Sequence, residues 1–251
     1  MTEHMSNRIS IALIVAMSAI TLNSNAQDAV AIMNKVDENM NSRTNVITSD
    51  MVIHGRRGDR TVTSKGYTEG TTRSYTEYLA PAREKGTKML KLDDRLWIYS
   101  PSTDRTIQLS GHMLRQSVMG SDLSYEDMME DRKLMDMYTA KVVGEESLEG
   151  RVCWILELIA KVPDVSYESR KIWVDKERFV PMKEDLFAKS GQLLKQTVMS
   201  DVKQFGKRWY PTKINYKDML KDGKGTDFIA TEIQFDVDIP ESVFNKASLK
   251  K

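Results

Sequence analysis

The side chains able to do chemistry are few and scattered. His54 and His112 lie far apart in the sequence. Neither has a partner at metal-ligand spacing, so each reads as a surface or turn residue. The single cysteine, Cys153, adjoins Trp154 within an apolar stretch, where burial raises a thiol's pKa and removes its nucleophilicity. One cysteine also excludes an intrachain disulfide. The acidic run Asp122, Glu126, Asp127, Glu130 and Asp131 offers paired carboxylates or a cation site. No EF-hand-like spacing accompanies it, and a solvated helix face is the simpler expectation. The chain holds no G-x-S-x-G, H-E-x-x-H, Walker or dinucleotide-type glycine pattern, so neither enzymatic activity nor a bound cofactor is expected. Motif absence is weak on this point, because paired carboxylates leave no signature.

Composition points away from electrostatic partners. The 251 residues carry 37 Lys+Arg against 36 Asp+Glu, a formal charge of +1, which fits ordinary globular structure and disfavours a nucleic-acid binder. The unusual count is 16 Met. Met113, Met119, Met128, Met129, Met135 and Met137 gather between residues 111 and 139, joined by Leu114, Val118, Leu123, Leu134 and Tyr138. Polar residues divide this segment into short amphipathic helices, His112 to Met119 and Ser124 to about Met129, with Ser124 and Asp127 at capping-box spacing. Flexible, unbranched side chains on short helices make a surface that repacks around variable ligands.

The elements around that segment are mostly strands. A first helix is marked by Asp28 as cap and by Val30, Met33, Val36 and Met40 at three- and four-residue spacing. Short Thr-, Val-, Ile- and Tyr-rich runs follow from Ile47 to Tyr99 and again from Val142 to Ile239, divided by Gly, Asp-Asp and Pro signals. They predict an antiparallel meander of about ten or eleven strands. In the last run Ile229, Thr231, Ile233, Phe235 and Val237 alternate with Ala230, Glu232, Gln234, Asp236 and Asp238, so one face is buried and the other wet. A large sheet with one wet face must curl around something. The first helix and the Met-rich segment are the candidates.

The N-terminus adds a destination. Arg8 precedes a charge-free run, Ile9 to Leu22, and Ser24-Asn25-Ala26 places small residues before Gln27. That order predicts a secretory signal peptide cleaved after Ala26. Residues 27–251 contain no linker-like stretch and are expected to form a single domain.

Several stretches resemble the outer-membrane lipoprotein-sorting proteins, relatives of the LolA carrier. They are Tyr78-Leu79-Ala80-Pro81-Ala82-Arg83, Leu96-Trp97-Ile98-Tyr99-Ser100-Pro101, Met119 to Asp127, Trp173-Val174-Asp175-Lys176, Phe179-Val180-Pro181-Met182-Lys183 and Ile239-Pro240-Glu241-Ser242-Val243-Phe244. The resemblance implies an incomplete antiparallel β-barrel, mainly β with covering helices, whose concave face encloses an apolar cavity for acyl chains. It implies a periplasmic carrier of lipoprotein or lipid moving toward the outer membrane. Its partners would be an inner-membrane transporter of the resistance-nodulation-division or ATP-binding-cassette type and an outer-membrane acceptor, with no nucleic acid involved. A lipid-sensing or transporter-accessory module, and less readily a lipid-modifying enzyme, are alternatives. Alternation selects Trp154, Leu156, Ile229, Ile233 and Phe235 as cavity residues. Both faces of Leu96 to Tyr99 are apolar, and Trp97 and Tyr99 are chosen there. Met113, Leu114, Val118, Met119, Leu123, Met128 and Met129 would form the lid.

Overall fold

A computed structural model describes residues 28–250. The expected signal peptide lies outside the described residues. Helix α1 (28–40) buries Ala29, Ile32, Met33 and Val36, while Val30 is 42% exposed. The buried stripe is thus rotated from the one anticipated. Ala29 and Ile32 complete the three-and-four spacing with Met33 and Val36 better than Val30 does. The end of α1 is capped from a distance, because the Arg208 guanidinium donates to the carbonyls of Glu38 and Asn39 at 2.7 Å each. A cation there answers the helix dipole and the unpaired carbonyls of the last turn.

Thirteen antiparallel strands form one open sheet, more than the ten or eleven anticipated. The first meander comprises β1 (Thr44–Ile53), β2 (Arg60–Glu69), β3 (Arg73–Ala80), β4 (Lys88–Leu92), β5 (Arg95–Ser100) and β6 (Arg105–Leu109). The second comprises β7 (Tyr138–Leu148), β8 (Arg151–Ala160), β9 (Ser169–Asp175), β10 (Pro181–Phe187), β11 (Leu193–Phe205), β12 (Arg208–Asp218) and β13 (Thr226–Phe235). The short polar strand β6 is the one whose pattern does not stand out in the sequence. In space the order is β6-β5-β4-β3-β2-β1-β13-β12-β11-β10-β9-β8-β7. The first and last strands therefore pair at the centre, and β6 and β7 are the two edges. The segment joining β6 to β7 has to cross from one edge to the other.

That crossing runs over the inner face. It contains two 3-10 turns, Gly111–Arg115 and Val118–Gly120, and two short helices, α2 (Tyr125–Met129) and α3 (Leu134–Met137). The capping box on α2 forms as its spacing predicts: Ser124 N donates to the Asp127 carboxylate at 2.9 Å, and Asp127 N to Ser124 Oγ at 3.2 Å.

Two cores divide the inner face. Under α1, Ala29, Ile32, Met33 and Val36 meet Tyr138, Ala140, Leu156, Leu158, Ile172 and Val174. Under the crossing segment, Val118 and Tyr125 meet Met51, Val62, Tyr78, Met89, Leu96 and Leu109. Met135 and Met137 belong to the first core, so the Met-rich segment serves both.

The outer face is not uniformly wet. Tyr75, Leu90 and Trp97 are covered by Phe244 and Leu249 from the C-terminal turns Glu241–Phe244 and Lys246–Lys250. Pairing explains this placement, because Leu90 stands opposite Trp97 and Met89 opposite Ile98, and cross-strand partners share a face. Trp97 and Tyr99 are accordingly outer-face residues, and Leu96 and Ile98 are the inner ones. A second exception lies in β13, where the register with β1 slips so that Thr48 opposes Glu232 while Ser49 opposes Ala230. Thr231 is the extra residue of this bulge, and its Oγ1 donates to the Thr48 carbonyl at 3.1 Å. A bulge reverses the parity of the strand. Phe228 and Ala230 thus face inward before it and Ile233 and Phe235 after it, while Ile229, opposite Asp50, faces outward.

The central seam ends in a polar knot. His54 N donates to the Gly225 carbonyl at 3.2 Å, and the imidazole contacts Asp59 through Nδ1 at 2.9 Å and Asp227 through Nε2 at 3.2 Å. Gly225 is required there, since a Cβ would fall 2.3 Å from the Tyr216 carbonyl oxygen. The hydrogen bond to Asp227, helped by that to Asp59, raises the His54 pKa above its usual 6.5 against the opposing effect of burial. Its contribution to stability is therefore full below pH 6.5 and fades as pH rises through the elevated value. His54→Gln should remove that dependence and lower the melting temperature by about 2–4 °C at pH 6, in line with the loss of about 1 kcal/mol. Melting curves at pH 6 and pH 9 for both proteins test this, and parallel curves would exclude it.

Candidate functional site

The crossing segment is fastened around its rim and apolar in its middle. On one flank Arg60 donates to the Met119 carbonyl. Lys91 Nζ donates to the Met129 carbonyl at 3.1 Å and lies 3.6 Å from Asp131. On the other flank Asp122 accepts from Thr226 Oγ1 at 2.9 Å and from Asp218 N at 3.0 Å, and Lys221 Nζ donates to Ser117 at 3.1 Å. Between these fastenings Met113, Leu114, Val118, Met119, Leu123, Met128 and Met129 converge on one apolar cluster over β1 to β6. The residues selected for the lid thus share a single surface.

Three adjoining cavities lie below. One of about 230 Å³ sits between Val118, Leu123 and Met128 above and Ile47, Tyr78, Met89 and Phe228 below. A second, of about 190 Å³, lies along β12 and β13 and is lined by Ile47, Tyr210, Ile214, Tyr216, Phe228 and Ala230. The third, of about 360 Å³, opens where α1, the crossing segment and β9 to β12 meet. Leu123 lines all three. One partly buried side chain thus borders all three.

The third cavity differs in having charges among its apolar walls. Asp127 accepts from Tyr167 Oη at 2.6 Å and from Ser124 Oγ at 2.6 Å, and it pairs with Lys195 of β11. Burial pushes its pKa up, but Lys195 and the hydrogen bonds outweigh this and hold the carboxyl below its ordinary range. Beside it Arg170 Nη1 bonds Glu184 at 2.9 Å, and its guanidinium lies 5.0 Å from the Tyr138 ring and 5.5 Å from that of Tyr167. Burial first, and then the Asp127 charge, push the Tyr167 hydroxyl well above its ordinary range.

The acidic run is therefore not the solvated helix face expected. Asp122 and Asp127 are turned onto the sheet, Glu130 pairs with Arg132 at 2.9 Å and Asp131 with Lys91. Lys195 and Lys91, remote in sequence, engage Asp127 and Asp131, Thr226 engages Asp122, and only Glu130 has its partner nearby. Among the described residues no group of His, Cys, Asp and Glu is arranged to hold a metal ion. Cys153 is buried, and burial pushes its thiol up to about 11. The arrangement suits enclosing an apolar chain beside a paired polar cluster better than transferring a proton.

The sequence-selected cavity residues are dispersed. Trp154 and Leu156 face inward but pack beneath α1, with Leu156 wholly buried. Phe235 stacks edge-on with Phe205 at 5.5 Å and Tyr210 at 5.2 Å, and Ile233 stands opposite Ile47. Trp97, Tyr99 and Ile229 lie on the far side of the sheet from the cavities, for the reasons of pairing and bulge given above. β12 contributes lining beyond the selected residues: Tyr210, Thr212, Ile214 and Tyr216 recur at every second position with Pro211, Lys213 and Asn215 between them, a legible signal.

Asp127 is a fastening whose titration has a definite sign. Because its folded-state pKa is lowered, its contribution is present above the ordinary value of 3.8 and is lost as pH falls below it. Asp127→Asn should reduce the free energy of opening the crossing segment by about 1–3 kcal/mol. Protection factors over residues 118–129, that is amide exchange corrected for the pH dependence of the intrinsic rate, should fall in the variant at pH 7 and in the unaltered protein on acidification below pH 3.8. Unchanged protection in both would remove Asp127 from this role.

No curated protein matches the chain. Among solved structures it is similar to a DUF1329 family protein from Desulfovibrio piger, at 24% identity and TM-score 0.80, over 90% of this chain and 99% of that one. It is similar also to a domain described as an outer membrane lipoprotein-sorting protein from Vibrio parahaemolyticus, at 22% identity and TM-score 0.79, over 90% of this chain and all of that one. A LolA superfamily protein from Nitrosomonas europaea shares 24% identity at TM-score 0.68, over 88% and 98% of the two chains. These likenesses establish a LolA-like incomplete β-barrel. A family model whose description reads "-like: Uncharacterized protein" matches residues 70–251, more than half of the chain, and the protein belongs to that family.

Proposed function

We propose that this protein is a periplasmic carrier that shields the acyl chains of a lipoprotein or lipid during transit toward the outer membrane. The observation that carries the reading is the set of three cavities that share Leu123 beneath a methionine-rich cover. At about 0.8 kcal/mol per methylene, a chain of about 16 carbons exposes on the order of 12 kcal/mol of apolar surface to water. Aqueous transit without shielding is strongly unfavourable, and a carrier must also let its cargo go. A cover seated by hydrogen bonds at its rim, with adaptable side chains at its centre, meets both needs. Taken singly, the cavities lie at or below the lower end of the roughly 300–1,000 Å³ common for ligand sites. Displacing Leu123 merges them into a space of that class.

The LolA-like fold of the crystal structures described above supports the same reading. So does the sequence of the first 26 residues, which reads as an export signal. No helix among the described residues is long and apolar enough to cross a membrane. An inner-membrane transporter and an outer-membrane acceptor are the partners such a carrier needs. The engagement of Asp122, Asp127, Glu130 and Asp131 by other groups of the chain favours carriage over catalysis.

Protein released gently from the periplasm is expected to carry lipid or lipoprotein that native mass spectrometry resolves. Repeated isolation of an empty protein that takes up no lipid would count decisively against the carrier. Changing Met119 and Met129 together to Ser should weaken uptake of a fluorescent acyl probe by roughly tenfold or more, from the apolar surface withdrawn, while moving the melting temperature by only a few degrees. A collapse in stability would instead make these side chains ordinary core.

A further inference from the structure

The 360 Å³ cavity holds an irregularity that the carrier reading does not use. Among the described residues, two buried side-chain polar atoms have no hydrogen-bond partner, Arg170 Nε and Thr197 Oγ1. Both residues line this cavity. Thr197 is 4% exposed, and the Arg170 side chain is 12% exposed. Buried polar groups are nearly always paired, because an unpaired one forfeits its hydration for nothing. Two such groups at one cavity point to a ligand that completes them.

The sheet explains how they come together. Glu184, Thr197 and Tyr216 stand side by side on β10, β11 and β12, since Glu184 pairs with Thr197 and Thr197 with Tyr216. In the next row Leu186 opposes both Arg170 and Lys195. Met33, Ile172, Leu186 and Met199 supply apolar wall around them. Leu123 and Tyr216 are shared with the trough along β12 and β13.

Charge selects the ligand. Lys195 is matched by Asp127, Arg170 by Glu184 and Arg132 by Glu130. Asp37, Asp131 and Lys133 also line the cavity, with the Lys133 charge acting on Asp37, so five carboxylates stand there against four cations. An anionic head group would find its cations already engaged and carboxylates close by, and it would have to break a buried pair to enter. A neutral acceptor oxygen needs only the N–H and O–H that stand unused.

Resting on the carrier reading, we infer that this cavity is a head-group site for the neutral carbonyl of an acyl ester or amide, with the chain passing Leu123 into the apolar trough. Arg170 Nε–H and the Thr197 hydroxyl donate to the carbonyl oxygen, which has lone pairs for both.

The test compares two ligands that differ at that carbonyl, 1-hexadecanoyl-glycerol and its ether analogue 1-O-hexadecyl-glycerol, titrated calorimetrically into the full-length protein. The ester should bind at least about tenfold more tightly, the worth of one neutral hydrogen bond and one donated by a guanidinium. Thr197→Val should erase most of that preference by weakening the ester alone. Its melting temperature without ligand should hold or rise, because the substitution breaks no bond within the protein. Arg170→Lys, which keeps a cation beside Glu184, serves as the second variant and should act in the same direction. Hexadecanoate should bind more weakly than the ester. Equal affinities for ester and ether in the unaltered protein, a preference surviving in both variants, or tightest binding of hexadecanoate would each overturn the head-group site while leaving the carrier standing. Failure of all three ligands to bind would overturn both.

Discussion

The two edges of the sheet have to be joined by one stretch of chain, and much of the molecule follows from that. Because β1 and β13 pair at the centre, β6 and β7 become the edges, and the segment between them must travel from one rim to the other. The outer surface offers a longer route. Across the inner surface, the same segment can bury its Met, Leu and Val side chains against those of β1 to β6. The hydrophobic effect therefore makes the connection into a cover. The helix preceding β1 closes the other half in the same way.

A cover formed like this is held unevenly. Its apolar middle contacts residues that also border cavities, so it is incompletely packed there. Its rim is fastened to β2, β4 and β11 to β13 through Arg60, Lys91, Lys195 and Thr226. Hydrogen bonds to charged groups are directional and lost stepwise, whereas a tightly interlocked core yields only as a whole.

Polarity within the inner face is also localised. Cations and carboxylates concentrate in the cavity between α1 and the crossing segment, while the two adjoining cavities are lined mainly by apolar and aromatic side chains. An enclosure with one polar end and one apolar end has the shape of an amphiphile. The near-balance of charge over the whole chain agrees with recognition by contact rather than by a long-range field.

The sequence by itself determined the first helix, most of the strands, the α2 capping box and the burial of Cys153, whereas β6 did not stand out and the helix expected over His112 to Met119 is two separate 3-10 turns. Each of the former depends on neighbours within a few residues, and the resemblance to lipoprotein-sorting proteins rests on similarly local turn and strand patterns. Alternation could not decide the face of Leu96 to Tyr99, where both sides are apolar and the C-terminal turns cover Trp97 from far along the chain. Nor could it foresee the bulge at Thr231, because one inserted residue reverses inside and outside without altering the composition. The acidic run looked solvated because Lys195, Thr226 and Lys91 lie far from it in sequence. Only the tertiary structure brought them within hydrogen-bonding reach, and only there could Arg170 and Thr197 stand at one cavity with donors to spare. Periodicity reports which residues prefer to leave water; what they meet afterwards is set by strand register, which is a property of pairs.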